Sequence, residues 1–308
     1  MSKNEIEIRA LKLNKWANLF MAFAGIVAAL LSHSDAILVD GLYSAVNVIS
    51  AIIAIRVAKR VNQPPDRSRP WGYAFEESIY VTFRSLVLLG ILLFAALASA
   101  NKIFTYLTGG SVPELVFGPI LIYAVGMVII CLGLALYHRR AYAKSGKTST
   151  ILRAEAKAAL VDAAISAGTG IALMSLPILQ DTPLAPIVPI GDAIVVLIMV
   201  VVIIWQPLGL FRSALAELAG ASAPAAVHLA ISRRAKELAG EHGYRFLRAA
   251  VQQAGRTRFA VIYVNPKKPV NAQQVDKFWR LLNQQLSEDG GLVRCEVVIT
   301  EIPEVDAS

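Results

Sequence analysis

The sequence predicts a membrane α-helical protein, six transmembrane helices followed by a small α+β domain. Three observations predict it. The chain of 308 residues is 56% hydrophobic and only 17% charged, with a mean hydropathy of +0.56, too apolar for an ordinary soluble surface. Its apolar residues fall into six runs, each long enough at roughly 20 residues to cross a hydrocarbon core. The lysines and arginines gather beside the ends of those runs. The net charge of +8 therefore reflects membrane topology, and no nucleic-acid partner is expected.

The runs lie at about 11–31, 36–58, 77–100, 114–137, 152–178 and 190–211. Ser32-His33-Ser34-Asp35 is so short a turn that the second span must return antiparallel to the first. The loop from Asn62 to Tyr73 is rich in proline and arginine, Asn101 to Pro113 contains glycine, and Ala141 to Thr150 is basic and hydroxyl-rich. The proline-rich 180–189 segment reads as a short turn. Arg9, Lys12, Lys15, Arg56, Lys59, Arg60, Arg67, Arg69, Arg139, Arg140, Lys144, Lys147, Arg153 and Arg212 all flank one side, and Lys102 the other. The positive-inside rule puts both termini in the cytoplasm, and the plasma (inner) membrane is the expected location.

Three regions follow: a transmembrane domain over residues 1–212, an alanine-rich linker over 213–223 and a cytoplasmic domain over 224–308. Pro224 to Gly240 reads as an amphipathic helix with Val227, Ile231 and Leu238 on its apolar side. Gly243 to Val251 and Arg258 to Val264 read as strands joined at Ala254-Gly255. Val270 to Leu286 is a second helix burying Val275, Phe278, Leu281 and Leu282; Gly290-Gly291 ends it, and Leu292 to Ile299 is a third strand. The order α-β-β-α-β suits a small α+β sandwich. Cys131 and Cys295 form no CxxC pair, so neither a disulfide framework nor a structural zinc site is expected. A further span follows the first directly, so no cleavable signal peptide is expected.

The chemistry concentrates in the second run. Asp40, Tyr43, Ser44 and Asn47 share one helical face at i, i+3, i+4 and i+7. A carboxylate in a spanning helix costs about 2.5–3.5 kcal/mol on insertion scales and turns towards a partner or a wet pathway. Asp162 is a second such carboxylate, in the fifth run. An oxygen-only donor set without histidine suits Mg²⁺, Mn²⁺ or Fe²⁺ better than zinc, which carboxylates nevertheless bind. Two readings fit Asp40, a ligand or a structural carboxylate that hydrogen-bonds a neighbouring helix or pairs with Arg84 of the third run. Tyr43 and Asn47 read either as ligands or as interhelical hydrogen bonders. Glu155 and Lys157 read as solvated interface charges, Asp192 as the cap of the sixth span, and Glu76 and Glu77 as favouring the third span's N-terminal dipole. Ser166, Gly168 and Gly170 read as close-packing positions. His33 and His138 have no partner at ligand spacing.

Several stretches together resemble the cation diffusion facilitator family. They are Ser34-Asp35-Ala36-Ile37-Leu38-Val39-Asp40-Gly41, Arg69-Pro70-Trp71-Gly72-Tyr73-Ala74-Phe75-Glu76-Glu77, Arg153-Ala154-Glu155-Ala156 followed by Asp162, and Gly191-Asp192-Ala193-Ile194. The resemblance covers nearly the whole chain, through the order and spacing of these stretches. It implies a homodimeric secondary transporter that exports a divalent metal cation from the cytoplasm in exchange for protons. In that family paired i, i+4 side chains of the second and fifth spans hold the ion, and these positions fall here on Tyr43 with Asn47 and on Ala158 with Asp162. The candidate metal set is thus Asp162, Asn47, Tyr43 and Asp40. Of the fifth-span pair, Asp162 keeps a family-like ligand and Ala158 has no donor.

Other positions depart from the family as well. Where some members bind a second metal, the chain has Asp66, Arg69 and Tyr73, and its last domain has only His228 and His242. The expected partners are the metal ion, protons, the lipid bilayer and a second copy of the chain, with no cofactor beyond the transported ion. No nucleophile with a base at catalytic spacing is visible, so an enzyme is not expected. The alternative is a transport-inactive dimeric membrane scaffold, favoured by Ala158, Arg69 and the missing histidines.

Overall fold

A computed structural model describes residues 3–61, 63–144, 150–290 and 292–301. Asn62, Lys147 and Gly291, all used in the reading above, lie outside the described residues. Among the described residues these α-helices and β-strands follow in chain order: α1 (Lys3–Ser32), α2 (Asp35–Val61), α3 (Phe75–Leu107), α4 (Phe117–Lys144), α5 (Thr150–Ser175), α6 (Gly191–Ile203), α7 (Trp205–Leu218), α8 (Ala225–Glu241), β1 (Arg245–Ala254), β2 (Thr257–Asn265), α9 (Ala272–Gly290) and β3 (Val293–Ile299). Among the described residues six helical stretches, Lys12–Ser32, Asp35–Val57, Phe75–Leu107, Phe117–Lys144, Glu155–Asp181 and Ala185–Leu218, are long and apolar enough to cross a membrane. The chain is an integral membrane protein.

Two local expectations are corrected. The 180–189 segment lies not in a simple turn but in two short 3-10 helices, Leu176–Asp181 and Ala185–Ile190; a proline near each start lacks the N–H that a longer ladder would need. Residues 213–218 of the expected linker belong to α7, because Ala214 to Leu218 are good helix formers without a breaker until Gly220.

The chain forms two compact units, one of residues 1–53 and 84–208, the other of 54–83 and 209–308. In the first, α4 packs on α1 and α5, and α5 packs on α6. Small and flexible side chains fill its interior, among them Ala28, Ala29, Ala159, Ala163, Met21 and Met127. Large apolar side chains such as Phe23, Phe94, Ile122, Ile171 and Val201 are exposed. That inversion fits lipid, which solvates a phenylalanine as well as a protein core does and leaves close packing to small residues. The closest packing joins α1 to α2: a Cβ added at Gly41 would lie 2.9 Å from the carbonyl carbon of Gly25 and from the nitrogen of Ile26. Gly170 similarly lies against Ala124 of α4, where an added Cβ would stand 2.6 Å from the alanine Cβ, whereas Gly168 has open space around it.

In the second unit β1 pairs antiparallel with β2, and β2 parallel with β3 through α9, the crossover a parallel pair requires. Ala260, Ile262 and Val264 alternate inward from β2 and meet Ile231 and Leu238 of α8 and Phe278 and Leu282 of α9. Tyr244 stacks on Phe278 at 4.4 Å. Ala223 donates its N–H to Val251 at 2.8 Å, covering part of the free edge of β1. Cys295 is buried in this core and burial pushes its thiol up to about 12, which leaves it inert.

The same unit holds the segment between the second and third spans. Glu77 accepts from the Arg256 backbone N–H and Nε, both at 3.0 Å, and from Nη2 at 3.3 Å. Gly255 donates to Ser78 Oγ and Glu217 Oε2, each at 3.0 Å, and Phe259 stacks on Phe75 at 5.8 Å. Gly255 has φ +55°, and a Cβ there would stand 2.6 Å from Glu77 Oε2, so only glycine fits that turn.

Two stability tests follow. Gly41→Ala must push α2 off α1 and should lower stability by about 1–3 kcal/mol, read as a lower Tm in detergent; an unchanged Tm would show that the helices part freely. A double-mutant cycle on Glu77→Gln and Arg256→Gln should give a coupling of about 1 kcal/mol, as befits a charge-assisted bidentate pair that is partly exposed. Additive effects would remove the pair from the account of this unit.

Candidate cation site

Polar side chains run through the first unit in three groups. The first lies at the start of α2. Asp192 is fully buried and accepts from Ser34 Oγ at 2.6 Å, from the Asp35 N–H at 2.8 Å and from the Ala36 N–H at 3.3 Å. Lys102 stands 3.5 Å from Asp192 and 3.2 Å from Asp35. Asp192 therefore caps α2 rather than the sixth span that it begins, because the orphan N–H groups of a helix start attract a carboxylate from any element that reaches them. Ser34 adds the local cap, its Oγ accepting from the Ile37 N–H at 3.4 Å.

The second group centres on Asp40. Tyr123 of α4 donates its hydroxyl to Asp40 Oδ2 at 2.7 Å. Of the two structural partners expected for Asp40, the neighbouring-helix hydrogen bond forms, to Tyr123, and the pairing with Arg84 does not; Arg84 bonds Asn47 instead, two turns along the same face. The Gly25–Gly41 crossing holds Asp40 here, since a Cβ at Gly25 would meet the Tyr123 hydroxyl at 2.9 Å. Beside Asp40 a crevice of about 10 Å³, lined also by Tyr123, Ser166 and Thr169, has room for about one water.

The third group contains the other candidates. Arg84 Nη2 donates to Asn47 Oδ1 at 3.0 Å. The Tyr43 hydroxyl lies within electrostatic range of both Arg84 and Asp162. Asp162 interacts in turn with Asp40 and Glu155. Asp162 and Ala158, one turn apart on α5, are both exposed in the single chain. Glu155 is half-buried rather than solvated: Asn14 Nδ2 donates to its Oε2 at 2.9 Å, and Arg84 acts on it electrostatically. Lys157 is exposed, as expected. The three candidates on α2 thus form a polar track along one helix face and Asp162 stands on α5, but among the described residues no three His, Cys, Asp or Glu side chains stand close enough to enclose an ion.

Sequence reasoning missed Tyr123, Asn14 and the inward role of Glu155. Asn14 and Asn18, at i, i+4 in the first span, were the available signal; Asn18 Nδ2 donates to Asn14 at 2.9 Å. Tyr123 gave none, because one tyrosine in an apolar run reads as filler. Of the histidines, His228 and His242 bond the carbonyls of Ala249 and Leu238 at 3.1 and 3.0 Å. His138 is fully buried without a hydrogen-bond partner among the described residues.

The Asp66 loop is closed by hydrogen bonds. Asp66 Oδ1 accepts from the N–H groups of Ser68 and Arg69, both at 2.8 Å, and from Ser68 Oγ at 2.7 Å, and Oδ2 accepts from the Tyr73 hydroxyl at 2.5 Å. The Tyr73 bond above all, then those of Ser68 and Arg69, pull the Asp66 carboxyl down to about 2. A depressed carboxylate stabilises above its unfolded value near 4 and loses that contribution as the pH falls through the folded value. Protection of the Ser68 and Arg69 amides, measured relative to the intrinsic exchange rate at each pH, should persist at pH 4 and be lost only towards pH 2. In Asp66→Ala it should be lost at both; equal protection in that variant would show that other groups hold the loop.

The sequence model described as the cation efflux transmembrane domain matches residues 11–219. Three proteins of Bacillus subtilis (strain 168) are similar. The "Uncharacterized transporter YdbO" is 28% identical over 166 residues, 53% of this chain and 54% of the relative. The "Manganese efflux system protein MneP" is 28% identical over 98 residues, 32% of each chain. The "Manganese efflux system protein MneS" is 26% identical over 160 residues, 52% of each. The chain thus spans about half the length of two of these relatives and a third of the other.

Proposed function

The chain belongs to the cation efflux family, and from that premise we propose that it is a secondary transporter exporting a divalent metal cation in exchange for protons. The observation that carries this reading is the pair of carboxylates on two spanning helices, Asp40 on α2 and Asp162 on α5, with Tyr43, Ser44 and Asn47 as neutral oxygen donors along the Asp40 face of α2. A divalent ion with part of its water shell suits such hard donors. The names of two relatives point to manganese, which we take as the first ion to test. Proton and metal then compete for the same carboxylates, the simplest way to couple opposite flows at one site.

In this reading the basic loops face the cytoplasm, as do both termini, in the plasma (inner) membrane. The protein works as a homodimer and catalyses no covalent reaction. A transport-inactive scaffold is the competing reading. Ala158, which supplies no donor, and the Arg84 guanidinium on Asn47 are the observations in its favour.

Vesicles reconstituted with the full chain and loaded with a manganese-sensitive dye decide between the two. Wild-type protein should carry Mn²⁺ against an imposed pH gradient. Asp162→Ala should lower that flux at least about tenfold, the effect of losing a charged ligand of about 1.4 kcal/mol or more. Absence of flux from folded wild-type protein, with every divalent ion tried, would establish the scaffold.

A further inference from the structure

Arg84 is the one feature of the polar track that a cation transporter should avoid. Its side chain stays charged at any accessible pH, and a charge inside a spanning helix is costly unless well paired. Yet the pairing is weak. Its Nη2 bonds a neutral amide, Asn47 Oδ1, at 3.0 Å, and its Nε is buried with no hydrogen-bond partner among the described residues. Its other electrostatic neighbours are the Tyr43 hydroxyl and the Glu155 carboxylate. Two of the four candidate cation ligands, Asn47 and Tyr43, thus face a cation that the chain itself supplies.

We propose that Arg84 is a tethered counter-cation of the empty ion site, occupying Asn47 until a divalent ion displaces the guanidinium towards Glu155. The inference rests on the transport reading above. Glu155 is suited to receive the displaced group, because it is half-buried, carries the opposite charge and is steadied by Asn14 at 2.9 Å. Displacement hands Asn47 to the metal and pairs the guanidinium with a carboxylate, so the protein's own charge in the unit is the same before and after. Its effect on the ion is to weaken binding, since a divalent cation and a guanidinium repel strongly at short range in a low-dielectric site, and so to speed release. Arg84 is in this sense a positioning residue: it sets the affinity without supplying a ligand.

The test is calorimetric titration of the detergent-solubilised full chain with MnCl₂, paired with Mn²⁺ flux in vesicles. Arg84→Gln removes the competing charge and should bind Mn²⁺ about tenfold or more tightly than wild type while its maximal flux falls. A residue that merely anchors α3 to α2 would not tighten binding when removed. Arg84→Met, apolar and of similar length, gives a second neutral variant. Arg84→Lys keeps the charge and should bind within a few-fold of wild type. Equal or weaker binding in a folded neutral variant overturns the proposal, and so does the collapse of both neutral variants, which would mark Arg84 as a structural anchor.

The two readings fail separately. If wild type carries Mn²⁺ and Asp162→Ala does not, while Arg84→Gln leaves the affinity unchanged, the tethered cation alone is wrong. Binding by Arg84→Gln but not by wild type supports it, with the guanidinium as a plug. No binding by any variant overturns both.

Discussion

A charge buried within the apolar helical unit has to be compensated there, and how far each one is compensated organises that unit. Lipid offers no water to do it. Asp192 is saturated: two backbone N–H groups, a serine hydroxyl and a lysine all converge on it. That cluster joins the start of α2 to α3 and α6 and has no spare capacity for a ligand. Asp40 has one donor, Tyr123, and a crevice beside it; Arg84 has an amide; Asp162 is open. The gradient from saturated to open separates the charges that hold the helices from those with capacity to spare.

Close backbone approach makes this arrangement possible. Gly41 follows Asp40 directly, and its contact with Gly25 brings α2 against α1 at the level where α4 presents Tyr123. The family-like Asp-Gly pair therefore combines two roles in adjacent residues, a carboxylate and the missing side chain that lets it reach its partner. Bulk at either glycine would separate the carboxylate from the only donor described for it.

The second unit shows a different substitution of one physics for another. Where some family members hold a metal in the loop before the third span, this chain has an aspartate closed on its own loop by four hydrogen bonds. Nearby, the Glu77–Arg256 pair, the Gly255 turn and the Phe75–Phe259 stack tie that segment to the small sheet. Hydrogen bonds and ring stacking give a fixed geometry that needs no ion. The absence of histidine at Arg69 and Tyr73 is thereby matched by a working local structure.

Much of the fold was legible because each signal was local. Twenty-residue apolar runs give spanning helices, Ala260, Ile262 and Val264 give an inward strand face, and the spacing from Val227 to Leu238 gives a helix face, all from periodicities fixed by backbone geometry. The polar stripe of Asp40, Tyr43 and Asn47 was legible for the same reason. Its partners were not. The sequence offers Arg84 as a counter-ion for Asp40, but tertiary structure gives Asp40 to Tyr123, Arg84 to Asn47, Glu155 to Asn14 and Asp192 to the start of α2. Charge pairing acts through space at about 3 Å, between residues whose separation along the chain carries no information, so the sequence determined which groups had to be satisfied and only the packing of the helices decided by whom.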